Sequence, residues 1–183
     1  MRLLPFFTLL LTAAATSLLA GCSNSDTTTY GENVIARNDF EALEGWIPAA
    51  PSLTTVKAHS GRYSIKVDNG VEYALGYISP LAKVSATRLK KLDVSAWAMI
   101  MDKDATASLV VEVRNPADDT QRIFWEALDI GKEVKAVNKW VEVKRTFILP
   151  ETIEPTYELR VYMWRGGASA PVFLDDIIIA RGE

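Results

Sequence analysis

Leu92-Asp93-Val94-Ser95-Ala96-Trp97-Ala98-Met99-Ile100 carries an apolar residue at every even position, the period of a strand with one buried face. Trp97 falls with Asp93 and Ser95 on the side opposite the apolar set. Beyond Asp102-Lys103-Asp104 the same alternation resumes with Leu109, Val111 and Val113, which leaves Glu112 and Arg114 on the other face. Upstream, Tyr63, Ile65 and Val67 alternate with Arg62, Ser64 and Lys66; a turn at Asp68-Asn69-Gly70 follows, then Tyr73, Leu75 and Tyr77 before Pro80. This spacing predicts one β-hairpin. Downstream, Arg122 to Ile130 reads as a strand with less clear faces, Val141 to Leu149 as one stopped by Pro150, and Leu159 to Met163 as one stopped by Gly166-Gly167. Val172 to Ile179 is apolar on both faces, as a well-covered strand is. Helix-period stretches are scarce. Eight or more short strands in one core predict an all-β jelly-roll or Greek-key β-sandwich, since two packed sheets bury the apolar faces.

The sandwich is expected to occupy residues 33–183, about 150 residues and a normal size for one domain. Ser23 to Glu32 is rich in Ser, Thr, Asn and Asp, the composition of a flexible tether over residues 22–32. Before it, Arg2, the apolar run from Leu3 to Leu19 and the small residues ahead of Cys22 have the layout of a secretory signal over residues 1–21. Leu19-Ala20-Gly21-Cys22 resembles the bacterial lipobox. The resemblance implies that Cys22, the chain's one cysteine, carries lipid and anchors the protein to a membrane of the cell envelope. Ser23 stands where an aspartate is associated with inner-membrane retention in some bacteria, so the outer membrane is the expected address. A single cysteine also excludes an internal disulfide.

With 20 Lys+Arg against 23 Asp+Glu, the net charge is -3. No basic cluster is available to neutralise a row of phosphates, so nucleic acid is not an expected partner.

Asp175 and Asp176 interrupt the apolar run Phe173-Leu174-Asp175-Asp176-Ile177-Ile178-Ile179. Alternation sends the two carboxylates to opposite faces and puts at least one among large apolar groups. Such a carboxylate must be protonated, ion-paired, hydrogen-bonded or bound to a cation. Together with Asn38-Asp39-Phe40-Glu41, Gly45-Trp46 and Ala58-His59-Ser60-Gly61-Arg62-Tyr63-Ser64-Ile65, this run resembles the carbohydrate-binding modules attached to bacterial xylanases and other glycanases. The resemblance spans Asn33 to Glu183 and implies the galactose-binding-like jelly roll. It also implies a structural calcium ion held by the Asp39 carbonyl, the Glu41 carboxylate, oxygens of Ser60 and Tyr63, and the Asp175 carboxylate, a hard-oxygen set suited to that ion. Ser60 replaces an acidic ligand of some relatives, which weakens the implied site. With one histidine and no free thiol, a zinc or copper centre has no ligand set. His59 reads as structural or exposed.

Sugar recognition needs flat aromatic faces plus a few polar groups. With Leu159, Val161 and Met163 inward, Tyr162 and Trp164 share a polar face with Glu158 and Arg160. These two, with Trp97 from its own strand and Trp125 on the strand of unclear faces, are the candidate stacking residues; Glu112, Arg114 and Arg160 are the candidate hydrogen-bonding groups. Trp46 and Trp140 read as structural. Neither Asp118-Asp119 nor the series Glu126, Asp129, Glu133 matches the paired carboxylates of a glycanase, and no Gly-x-Ser-x-Gly elbow is present. The expected protein is a lipid-anchored lipoprotein that binds a polysaccharide or oligosaccharide without cleaving it. The alternative is an envelope scaffold or protein-interaction lipoprotein of the same fold without glycan binding.

Overall fold

The computed structural model describes residue 31 and residues 33–118, 120–167 and 170–183. The expected signal, the lipid-bearing Cys22 and nearly all of the expected tether lie outside the described residues. The described chain forms β1 (Val34–Asn38), β2 (Leu53–Thr54), β3 (Ser64–Val67), β4 (Tyr77–Pro80), β5 (Lys91–Ile100), β6 (Ser108–Arg114), β7 (Arg122–Asp129), β8 (Val141–Ile148), β9 (Glu158–Trp164) and β10 (Val172–Arg181). Two helical turns, α1 (Leu81–Val84) and α2 (Ile130–Glu133), follow β4 and β7. One sheet runs β2-β3-β10-β5-β8 with β1 added on β10, and the other runs β4-β9-β6-β7. Every pairing is antiparallel. The protein is therefore a β-sandwich, as the alternation predicts.

The alternation drives the packing of the two layers. Leu92, Val94, Ala96, Ala98 and Ile100 of β5 are buried, and they meet Leu109, Val111 and Val113 of β6 and Leu159, Val161 and Met163 of β9 in one core. β10 lies between β5 on one edge and β3 and β1 in succession on the other: Val172 to Leu174 pair with β3, and Ile177 to Ala180 pair with β1. Its unbroken apolar sequence follows from that central place.

The expected hairpin after Val67 does not form. Asp68 and Val71 do close a tight turn, but β3 belongs to the larger sheet while β4 pairs with β9 in the smaller one. The chain crosses between layers at Glu72–Leu75, where Tyr73 bridges to Trp164 and the Ala74 N–H donates to the Met163 carbonyl. Alternation on either side of a turn reports two strands and not which sheet each joins.

Candidate glycan-binding face

The outward face of the four-stranded sheet gathers most of the polar and aromatic candidates. Register places Tyr162 of β9 beside Val110 of β6, Trp164 beside Ser108, and Arg160 beside Glu112, which in turn faces Trp125 of β7. Trp125 and Trp164 lean together across the small row between them, with ring centroids 6.4 Å apart at 74°. Tyr73, 60% exposed, meets Tyr162 edge-on at 5.8 Å. Val110 is outward-facing yet fully buried, because these rings cover it. Trp125, 37% exposed, thus faces the side that its own strand's pattern leaves open. Tyr73 is an aromatic that sequence reasoning missed, since the hairpin expectation put it on one face with Leu75 and Tyr77.

Polar groups fix the rings. The Trp164 indole N–H donates to Glu72 at 2.7 Å, and Arg165 Nε donates to the same carboxylate at 2.8 Å; the arginine and the indole hold the Glu72 carboxyl below its usual range. Glu112 is the buried centre of the face, 2% exposed. Its Oε1 accepts from Arg114 Nε at 2.7 Å and Arg122 Nε at 3.0 Å, and its Oε2 from the Tyr162 hydroxyl at 3.2 Å. Burial alone would raise its pKa, but Arg114, Tyr162 and Arg122 together hold it below the ordinary value. Burial and the Glu112 charge push the Tyr162 phenol up, partly offset by a hydrogen bond from Trp125. Arg160 donates through Nε at 3.3 Å and Nη2 at 2.8 Å to Glu158.

Arg122 also escaped the sequence reading, for a definite reason. Strict alternation would send it to the opposite face from Trp125. A register shift between Val113 and Arg114 marks a bulge in this pair of strands, and an extra residue in a strand reverses the facing of the residues beyond it. The Arg122 guanidinium therefore lies 5.7 Å from the Trp125 ring centroid.

Trp97 is not part of this face. It lies on the other sheet, between Asp175 of β10 and Glu142 of β8, half-buried, with the His59 imidazole stacked on it at 3.9 Å and 10°. Trp140 meets His59 edge-on at 5.8 Å. Trp46, read as structural from its sequence, is instead 87% exposed, on a loop that turns at left-handed Gly45.

The two aspartates do not diverge as alternation predicts. Asp176 adopts φ 48 and the ladder slips between Asp175 and Ile178, so both carboxylates reach the His59–Ser60 turn. Asp175, fully buried, accepts from His59 N at 2.7 Å, Asp176 N at 2.8 Å and Ser60 N at 3.2 Å. Asp176 takes His59 Nδ1 at 2.6 Å and Ser60 Oγ at 2.7 Å. Burial pushes the Asp175 pKa up against those backbone bonds.

At the far end of the same turn, Glu41 Oε1 accepts from Tyr63 N at 2.6 Å and Arg62 N at 2.8 Å. The Tyr63 hydroxyl donates to Glu44, and Asp39 Oδ1 accepts from Glu41 N at 3.2 Å. Among the described residues, no three acidic, histidine or cysteine side chains form a metal cluster; the calcium set implied above has only two carboxylates and draws its other oxygens from the Asp39 carbonyl and from Ser60 and Tyr63 of the turn. The implied donors are hard oxygens, the type a calcium ion takes: Glu41 and Asp175 brace opposite ends of one turn, and His59 is a basic side-chain neighbour of Asp176.

Residues 32–170 match the sequence profile of a family described as "Carbohydrate binding domain". Two solved structures share the sandwich. The C-terminal family 22 carbohydrate-binding module of Clostridium thermocellum Xyn10B aligns at 15% identity and TM-score 0.53, covering 81% of this chain and 93% of that one. The CBM22-2 xylan-binding domain of Paenibacillus barcinonensis Xyn10C aligns at 18% identity and TM-score 0.52, covering 81% and 99%. No curated protein sequence matches the chain.

Proposed function

Because this chain belongs to the carbohydrate-binding domain family, a family of non-catalytic modules, we propose that its glycan lies across the outward face of the four-stranded sheet, on Trp164, Trp125, Tyr162 and Tyr73. The observation that carries the reading is the two edge-on ring pairs on one face, Tyr73 with Tyr162 and Trp125 with Trp164, bordered by ion-paired polar groups that would meet hydroxyls. Glu112 sits beneath them as a positioning residue, with Arg114 and Arg160 at its sides. Xylan, which the similar Paenibacillus module is described as binding, is the first ligand to try. The test is affinity electrophoresis and calorimetry of the purified protein against plant, algal and bacterial polysaccharides. Binding that Trp164→Ala abolishes while Trp97→Ala leaves it in place supports this face; binding lost only with Trp97 moves it to the other sheet. Binding to no glycan favours the envelope-scaffold alternative.

The same reading has the protein fastened through lipid on Cys22, at the outer membrane of the cell envelope. The lipobox-like Leu19-Ala20-Gly21-Cys22 and the polar tether after it support this. Wild type should partition into detergent and Cys22→Ser into the aqueous phase; identical partitioning would remove the anchor.

Calcium is the cation proposed for the His59–Tyr63 turn, held by Glu41, Asp175, the Asp39 carbonyl and oxygens of Ser60 and Tyr63. When bound it would supply positive charge to Asp175 and tie β1 and β10 to the turn. Saturating calcium at about a hundredfold over its Kd should stabilise by about 2.7 kcal/mol. A melting temperature indifferent to both calcium and chelator rejects the site.

A further inference from the structure

We propose that the glycan taken by this face is acidic, and that Arg122 receives the carboxylate of a uronic acid residue. The inference rests on the assignment of the glycan to the four-stranded sheet and names the ligand class there.

Arg122 stands apart from the other arginines of the face in how little of its guanidinium is used. It donates through Nε to Glu112, and its two terminal nitrogens have no hydrogen-bond partner among the described residues. Arg160 is already engaged through Nε and Nη2 by Glu158. Arg114 is 24% exposed, sits on Glu112 and has a further interaction of its own. Arg122 is 51% exposed. Its Nε bond fixes the plane of the group, and the unused Nη1–Nη2 edge offers two parallel N–H donors to water, the fork that matches a carboxylate.

Charge favours an anion at the same place. Glu112 offers one negative charge to the two guanidiniums that share its Oε1. Among the described residues, the other carboxylates of the face have partners: Glu158 with Arg160, Asp129 with Lys132, and Glu72 with Arg165 at the opposite end. On the loop before β7, Asp118 is turned onto the Thr120 N–H and hydroxyl. The arginine end of the platform therefore complements a negative ligand group, and the aromatic rings beside it complement a sugar.

Sugar geometry joins the two. A pyranose stacked on Trp164 projects the substituent of its ring carbon 5 past the edge of the indole, toward Trp125, which meets it edge-on. A neutral hexose carries a hydroxymethyl group there and a pentose nothing, whereas a uronic acid carries a carboxylate. Arg122 Cζ lies over the Trp125 ring, 5.7 Å from its centroid, so the sugar stacks on the neighbouring Trp164 and its carboxylate meets the unused edge of the guanidinium. The bulge that turns it outward places this half-used guanidinium beside the rings.

The experiment compares matched glycan pairs, uronate-bearing xylan, pectin and alginate against the same chains after carboxyl reduction, by calorimetry on the purified protein. Wild type should bind at least one native chain about tenfold tighter than its reduced form at low salt, the worth of one charge-assisted fork. The ratio should shrink in roughly 0.5 M salt. Arg122→Gln should cost about tenfold on the native chain and far less on the reduced one; Arg122→Lys, which keeps charge but not the fork, should fall between. Equal wild-type affinities within every pair, or an Arg122→Gln loss equal on both members, would overturn the acidic assignment and leave the glycan face standing. Binding to none of the chains would overturn both.

Discussion

Glu112 and Asp175 are buried carboxylates beneath opposite outer faces of the sandwich, and the chain compensates them by different means. Glu112 has two guanidinium groups and a phenol on it. Asp175 has three neutral backbone N–H donors and a second carboxylate beside it. The electrostatic result has opposite signs: burial would push both upward, but the arginines bring Glu112 below its ordinary pKa, while burial outweighs the backbone bonds and leaves Asp175 raised. Long cationic side chains can compensate a carboxylate and still present donors to solvent, so the face above Glu112 stays open. Backbone donors can reach Asp175 only if the His59–Ser60 turn lies directly on the sheet, and that turn covers the face.

The largest effect expected from breaking this contrast is on the covered side. Trp97→Ala removes the indole under His59 and beside Asp175, and should cost about 3 kcal/mol. That corresponds to a fall of roughly 6–12 °C in melting temperature, with glycan affinity unchanged. A stable Trp97→Ala protein that had lost its ligand would reverse the roles given to the two faces.

Next in size is Glu112→Gln. It leaves two arginines facing a neutral amide; since Arg122 is half exposed, the cost is about 2 kcal/mol, less than the roughly 3–5 of a sealed pair. The sign with pH is set by the lowered pKa. The stabilisation by Glu112 is complete above its unfolded value of 4.5 and is lost as pH falls toward the folded one. The gap between wild type and Glu112→Gln should therefore narrow below about pH 4.5; a gap constant from about pH 7 to pH 3 would contradict the ion-pair account.

The layers of the sandwich were legible because Leu92 to Ile100, Leu109 to Val113 and Leu159 to Met163 each carry an apolar residue at every second position, the positions that the shared core buries. The outward facing of Tyr162 and Trp164 came from the same rule. What escaped were the places where the period is interrupted. Asp176 at positive φ brings both aspartates onto one turn, and the bulge before Trp125 brings Arg122 to its face; both are backbone events that side-chain pattern does not encode. The covering of Trp97 is a contact with His59, far away in sequence, and strand periodicity carries nothing about it. The outward position of Trp97 was readable, whereas its availability to a ligand was not.

Gly61 tests the covering turn with a smaller change. It sits at φ +57, and a Cβ there would come within 2.4 Å of Glu41 Cδ. Gly61→Ala should cost about 1–2 kcal/mol from the left-handed backbone and the displaced carboxylate. Gly45, at φ +81 with open space around its Cβ position, carries the backbone cost alone, so Gly45→Ala should be the milder of the two in denaturant melts. Equal costs would mean that the Glu41 bonds to Arg62 N and Tyr63 N contribute little.

The smallest effect should come from the most exposed tryptophan. Trp46 is 87% exposed and has no ring partner among the described residues. Trp46→Ala removes almost no buried area and should shift stability by less than about 0.5 kcal/mol, against about 3 for Trp97. The comparison separates two meanings of an aromatic outside a sandwich core. If burial decides its worth to folding, Trp46 and Trp97 must differ severalfold in denaturation midpoint even though both lie away from the core. A Trp46→Ala loss as large as that of Trp97→Ala would mean that the loop packs its indole down, and the contrast between covered and open surface would then fail for this end of the molecule.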